Sequence, residues 1–150
     1  RLLDIMKELP ANYFLTIVGD GVLKNEIEDY IISQNLSQRV ELVGMIKNVI
    51  EVISRHDLFV LPSFIEGFPN VVLESLSVGT PVVSFEVGGI SDIVLEGFNG
   101  YVVKQNDLEA FKQKVLDACE RPWDSIAIRK DIFDRFGLEK VTGYYQGLIP

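Results

Sequence analysis

The chain has 150 residues, 47% hydrophobic and 24% charged, enough for one globular domain with a substantial core and too apolar for a disordered chain. A net charge of −8 excludes a nucleic-acid-binding protein, which needs a basic face, and leaves any phosphate ligand to backbone amides or a few local cations. The single cysteine, Cys119, excludes an internal disulfide and suits a reducing compartment; with no leader-like opening, the expected location is cytoplasmic.

In chain order, apolar positions at helical spacing (Leu2, Leu3, Ile5, Met6, Leu9) predict a helix over residues 2–9, ended by Pro10. Residues 13–18 are β-branched and aromatic and stop at Gly19-Asp20-Gly21, which predicts a strand. Residues 22–34 are amphipathic, with Leu23, Ile27, Tyr30 and Ile31 on one helical face. A short strand over 40–43 ends at Gly44, a short helix covers 48–55, and a fully apolar strand over 58–61 is closed by Pro62-Ser63. Pro69 suits the first position of a helix, where its missing N–H is harmless, and that helix runs to Val78 with Gly79 behind it. A strand over 81–85, a short helix over 91–95, a turn at Asn99-Gly100 and a strand over 101–103 follow. Asp107 is the expected N-cap of a helix over 107–119, and two helical segments, 123–135 and 138–147, complete the chain.

Helices and strands therefore alternate, and the strands are apolar throughout. Together these features predict an α/β domain, doubly wound, with a mostly parallel sheet buried on both faces. Residues 1–150 read as a single domain without repeats or linkers.

Residues 58–85, LFVLPSFIEGFPNVVLESLSVGTPVVSF, hold only two ionisable side chains, Glu66 and Glu74, eight positions apart. Unpaired charge is costly in apolar surroundings, so two carboxylates kept in such a run read as a site. The run also contains Pro69, Gly79 and Pro81 and is not a membrane span. Ligands in open α/β sheets bind beyond the carboxyl ends of the strands, and four of the five ends here are glycine-rich, acidic or both: 19–21, 44–45, 62–66 and 86–89. Glu74 stands about 7–8 Å along the helix from Pro69. The flanking Val71, Val72, Leu73, Leu76 and Val78 leave little room for a solvated face around it. The layout suits a ligand with hydroxyls at both ends, about 8–10 Å apart, and an anion between them facing the helix N-terminus. A sugar nucleotide has that layout.

The stretch PSFIEGFPNVVLESLSVGTPVVSFEVGG resembles the donor-binding signature of retaining GT-B glycosyltransferases of the family 4 type, the group 1 glycosyl transferases; Gly19-Asp20-Gly21, Val43-Gly44 and Asn99-Gly100-Tyr101-Val102 match at the expected intervals. The resemblance covers nearly the whole chain. It implies a Rossmann-like C-terminal half of a two-domain enzyme, with the sheet order 3-2-1-4-5-6. By position, Glu74 is expected to bind the ribose hydroxyls and Glu66 the donor sugar near the reacting carbon. The backbone amides of Gly67, Phe68 and Asn70 are expected on sugar hydroxyls or phosphate, with Gly44 and Met45 at the base and Gly19 and Gly21 allowing close approach. The implied donor is a UDP- or GDP-sugar, transferred with retention through an oxocarbenium-like ion pair, without metal or other cofactor. The implied acceptor is a glycan or a lipid-linked glycan reached through an N-terminal domain.

Two departures from the family pattern accompany the match: the N-terminal acceptor-binding domain is missing, and so is the start of the donor-binding half. The family's first strand and the Arg and Lys that clamp the diphosphate have no counterpart here, so this chain is expected to be a fragment, inactive alone. The strands near Phe14 and Phe59 then become new neighbours or stay unpaired, and an exposed sheet edge is a candidate for dimerisation. Asp92 stands where the family often has Glu. The full-length enzyme would serve polysaccharide assembly, in the cytoplasm or peripherally at the inner membrane face.

Other residues have plainer readings. His56 reads as a helix-end histidine, Cys119 as a packed thiol, and Lys24 and Lys47 as solvated lysines. Phe64 and Phe68 flank Glu66 and either pack or shield a sugar from water. Competing classes are a sugar-nucleotide epimerase or hydrolase sharing this half, and a non-catalytic flavodoxin-like module. A receiver-type module is disfavoured because the strand end at Pro62-Ser63 carries no Asp.

Overall fold

In the computed structural model of the chain, which describes residues 1–67 and 69–137, helices and strands alternate as the sequence predicts. They fall into two compact units, Arg1–Val49 and the residues from Ile50 onward, each with its own parallel sheet. The helical segment expected over 138–147 lies outside the described residues.

The first unit contains α1 (Leu2–Glu8), β1 (Leu15–Val18), α2 (Lys24–Ser33) and β2 (Val40–Gly44). β1 and β2 run in parallel, Leu15 opposite Val40 through Ile17 opposite Leu42; the register then slips so that Val18 faces Gly44. Ile5, Met6, Leu9, Ile31, Leu36 and Val40 are buried. Arg39 fastens the link between α1 and β1: its guanidinium donates to the carbonyls of Leu9 (3.1 Å), Pro10 (2.8 Å) and Tyr13 (3.0 Å). The Tyr30 hydroxyl donates to Asp4 and accepts from Lys7 (3.1 Å), which ties α1 to α2.

The apolar composition of β1 predicts burial on both faces, yet all four of its residues are only half-buried and Phe14 before it is 71% exposed. The pairing explains this. Among the described residues β1 pairs only with β2, so its second edge has no strand beside it.

The second unit opens within α3 (Val49–Ile53). It contains β3 (Phe59–Leu61), α4 (Asn70–Ser77), β4 (Val82–Phe85), α5 (Ile90–Ile93), β5 (Gly100–Val103), α6 (Leu108–Glu120) and α7 (Ser125–Phe136). Its sheet has the order β3-β4-β5, all parallel, with Phe59 opposite Val82 and Val82 opposite Gly100. All four residues of the central strand are buried; because successive side chains point to opposite faces, both faces are covered. α6 packs on β4 and β5, with the Phe111 ring centroid 4.6 Å from that of Phe85. Burying such a side chain contributes about 1.5–3 kcal/mol. α4 packs on β3, β4 and α7 through Val72, Ser75 and Leu76, the i, i+3, i+4 set of its buried face.

The caps follow the sequence with one shift. Asp107 accepts from the Ala110 amide (3.0 Å), as expected, and Asp124 caps α7 in the same way. Pro69 stands at the N-cap of α4 rather than inside its first turn, because its ψ of 83° is not helical. Asn99 is wholly buried and fixes the turn before β5 by accepting from the Leu95 amide (2.7 Å) and donating to the Ile93 carbonyl (3.2 Å).

Candidate functional site

Parallel pairing places the carboxyl ends of β3, β4 and β5 on one edge of their sheet. The connection after β3 carries Glu66 and Gly67, the one after β4 carries Glu86 to Gly89, and the one after β5 carries Gln105. Two close approaches hold these connections together. Gln105 Nε2 donates to the Phe64 carbonyl (2.9 Å) and to the Glu86 carbonyl (3.1 Å). Gly88 passes so close to the Glu66 loop that a Cβ on it would stand 2.5 Å from the carbonyl oxygens of both Glu66 and Gly67. Its φ of +48° is also one that side-chain-bearing residues rarely adopt.

Glu66 is half-buried in this loop. Glu74 is half-buried one helical turn into α4, on the side opposite Val72, Ser75 and Leu76, with Asn70 and Ser77 as helix neighbours. Among the described residues neither carboxylate has a hydrogen-bond or ion-pair partner. The expectation that the aliphatic neighbours crowd out water at Glu74 is corrected. α4 buries only one stripe, and Val71, Leu73 and Val78 stay half-exposed beside the glutamate. The two carboxylates are thus half-exposed acceptors rather than charges trapped in a core. Among the described residues no side chain caps the N-terminus of α4, unlike the Asp-capped α6 and α7; the Val72 amide donates to the Pro69 carbonyl (2.9 Å), and the positive dipole end favours an anion. Gly67 and Asn70 lie at that end and are exposed; Phe68 lies outside the described residues.

The first unit gathers the glycine residues predicted from its strand ends. The Gly19 amide donates to the Gly44 carbonyl (2.8 Å), which joins the carboxyl ends of β1 and β2. Gly44 takes a φ of +67°, and a Cβ at Gly19, Gly21 or Gly44 would meet nothing within 4 Å, so this edge is open. Met45 (80% exposed) and Val22 (98% exposed) follow the two strand ends. Lys24 begins α2 and is half-buried, and Lys47 is exposed between β2 and α3.

His56 Nδ1 lies 2.7 Å from the Val52 carbonyl in the last turn of α3, the helix-end role expected of it. Cys119 is exposed rather than packed. Partial burial, with help from Asp57 and Glu120, pushes its thiol above the usual cysteine value, which disfavours the nucleophilic thiolate. Among the described residues no three His, Cys, Asp or Glu side chains gather closely enough to hold a metal ion, and no helix is long and apolar enough to cross a membrane. The tie made by Gln105 was not legible in the sequence: a glutamine in a polar turn gives no signal of what its amide reaches.

Residues 1–132 match the family model described as glycosyl transferases group 1. The UDP-Gal:alpha-D-GlcNAc-diphosphoundecaprenol alpha-1,3-galactosyltransferase of Escherichia coli is 35% identical over 104 residues, which are 69% of this chain and 27% of that enzyme. Among solved structures, the apo form of the lipopolysaccharide outer core galactosyltransferase WaaB superposes with a TM-score of 0.87 at 22% identity, over 98% of this chain and 43% of that one. HepE of Anabaena, solved with UDP, gives 0.83 at 20% identity, over 99% of this chain and 43% of that one. At these identities the likeness establishes the fold, the Rossmann-like one of GT-B glycosyltransferases. The chain spans less than half the length of each of these proteins.

Proposed function

The chain belongs to the glycosyl transferases group 1 family, and from that premise we propose that it is the nucleotide-sugar-binding part of a retaining glycosyltransferase. The observation that carries the reading is the pair of half-buried carboxylates, Glu66 and Glu74, without a hydrogen-bond or ion-pair partner among the described residues and set on either side of the start of α4 at the carboxyl edge of a parallel sheet. An ionised carboxylate is an acceptor only, and it bonds strongly to adjacent hydroxyls. Glu74 takes the ribose hydroxyls. Glu66 takes the donor sugar, where its charge opposes the positive charge that develops at the anomeric carbon as the diphosphate leaves. The amides of Gly67, Phe68 and Asn70 serve sugar hydroxyls or phosphate, and the free end of α4 favours the phosphate charge. Gly44 and Met45 line the base, with Gly19 and Gly21 giving it room.

Transfer proceeds with retention, on one face of the sugar, and the residues on this chain need no resident metal for the roles given to them. A UDP-sugar is the first candidate donor, because the E. coli relative is named for UDP-Gal and HepE was solved with UDP. A GDP-sugar is the second. Since the chain spans 27% of the E. coli enzyme, the role assigned to it is donor binding. Transfer to a glycan or lipid-linked acceptor, in the cytoplasm or at the inner membrane face, is assigned to the whole protein.

A thermal-shift panel of UDP, GDP and ADP, each with and without an attached sugar, tests the reading. At least one nucleoside diphosphate and its sugar should raise the melting temperature, since a ligand that binds only the folded state stabilises it. No response from any of them at millimolar concentration overturns it.

A further inference from the structure

We infer that Gln105 is a positioning residue for Glu66, holding the sugar-facing loop against the ends of β4 and β5; the sugar part of this inference rests on the donor-binding reading above. The loop after β3 exposes two large apolar side chains, Ile65 at 89% and Phe64 at 43%. Gln105 reaches that loop from forty-one residues further along the chain and donates to the Phe64 carbonyl, two residues before Glu66, at 2.9 Å. The same nitrogen donates to the Glu86 carbonyl at 3.1 Å. A side-chain amide has two N–H donors on one nitrogen, so one group serves two carbonyls, and the opposite amide orientation would set oxygen against both. The root of the tie is rigid. The Asp107 amide donates to the Lys104 carbonyl (3.2 Å), Asp107 caps α6, and α6 packs on β4 and β5. Gly88 completes the seat, since only a residue without a side chain lets the 86–89 segment lie under the carbonyls of Glu66 and Gly67. Gln105 touches no reacting atom in this arrangement. It acts through the backbone of the loop that aims Glu66.

Two measurements on the 150-residue chain test this. In 15N-labelled protein, Q105E removes the donors in the same shape, and Q105L removes them without adding charge. Both should lower the heteronuclear NOE of the Ile65, Glu66 and Gly67 amides while the amides of β4 keep theirs; Q105K, which retains donors, should restore much of it. Unchanged loop values in Q105E and Q105L overturn the tie. In calorimetry, Q105L should weaken UDP-glucose by about fivefold to tenfold, the scale of one or two lost hydrogen bonds, and leave UDP within about twofold. Equal losses for UDP and UDP-glucose overturn the sugar-positioning role. If the unaltered chain binds neither ligand, the donor-binding reading falls and takes the sugar role with it, while the relaxation measurement still decides the tie by itself.

Discussion

Gly88 lies against Glu66 so closely that a single added Cβ would stand 2.5 Å from the Glu66 carbonyl oxygen, a distance that real Cβ atoms do not tolerate. Because the opposing atoms are backbone, no side chain can swing aside to relieve the overlap. Gly88→Ala also forces an alanine into a φ of +48°, which costs about 1–2 kcal/mol before any overlap is counted. The variant should lose about 2–4 kcal/mol of stability in urea, and its residual folded state should have a displaced Glu66 loop. A denaturation midpoint equal to that of the unaltered chain would show that the two segments do not meet as described.

Glu74 offers a cleaner separation of binding from stability. It lies on the half-exposed side of α4, away from Val72, Ser75 and Leu76, and has no partner among the described residues. Glu74→Gln should therefore leave the melting temperature within about a degree, since a surface substitution away from partners changes stability by under about 0.5 kcal/mol. Nucleoside diphosphate binding should fall by the worth of a charge-assisted bond, about 1.5–3 kcal/mol, or roughly tenfold to a hundredfold. Unchanged affinity in calorimetry would remove Glu74 from the ribose.

Glu66→Gln should behave differently. Its carboxylate sits in the loop that leaves β3, ahead of the α4 start, and is assigned to the sugar. Sugar-nucleotide affinity should therefore drop more than that of the bare nucleotide, by about tenfold against less than threefold. Parallel losses for both ligands would place Glu66 on the nucleotide instead.

The contrast between these glutamates and Gln105 marks where the sequence stops being informative. Element order followed from periodicity, because a helix burying Val72, Ser75 and Leu76 and a strand burying all of 82–85 must carry those patterns. Glu66 and Glu74 stood out because charge in an apolar run needs a reason, whereas Gly19 and Gly44 are weak signals singly, since connections between strands and helices need glycine anyway. The shift of Pro69 from the first turn to the N-cap was not, since one residue separates two positions that both tolerate proline. The half-exposure of β1 was not either. An apolar strand looks the same whether or not a neighbour pairs with its second edge. The Gln105 amide reaches the carbonyls of Phe64 and Glu86, 41 and 19 residues away, and a bond to a backbone carbonyl leaves no trace in side-chain composition.

Cys119 should be a slow thiol. Partial burial, and then the charges of Asp57 and Glu120, all disfavour the thiolate, so at pH 7.5 less of it is present than in a free cysteine. Alkylation by iodoacetamide should run more slowly than for glutathione at that pH and accelerate as pH rises past the range where an ordinary cysteine has already ionised. Asp57→Asn should raise the rate at pH 7.5. Reaction at the glutathione rate would contradict this placement.

Arg39 makes a structural claim on the first unit that can be tested at a single amide. Its guanidinium holds three carbonyls, those of Leu9, Pro10 and Tyr13, while its own carbonyl accepts from the Leu15 amide (2.8 Å) at the start of the β1–β2 pairing. The guanidinium spreads these bonds over two nitrogens of its planar fork, Nε to Tyr13 and one Nη to Leu9 and Pro10, an arrangement that the single nitrogen of an ammonium does not reproduce. Bonds to a charged donor are worth about 1.5–3 kcal/mol each when buried, and the partial exposure of these reduces the sum to about 2–3 kcal/mol. Arg39→Ala should accordingly speed hydrogen exchange at Leu15 by roughly thirtyfold or more, with Arg39→Lys recovering only part of the protection. Exchange at the β4 amides should not change, because those hydrogen bonds belong to the other sheet. Equal protection of Leu15 in Arg39→Ala would mean that the α1–β1 link is held by the packing of Ile5, Met6 and Leu9 alone.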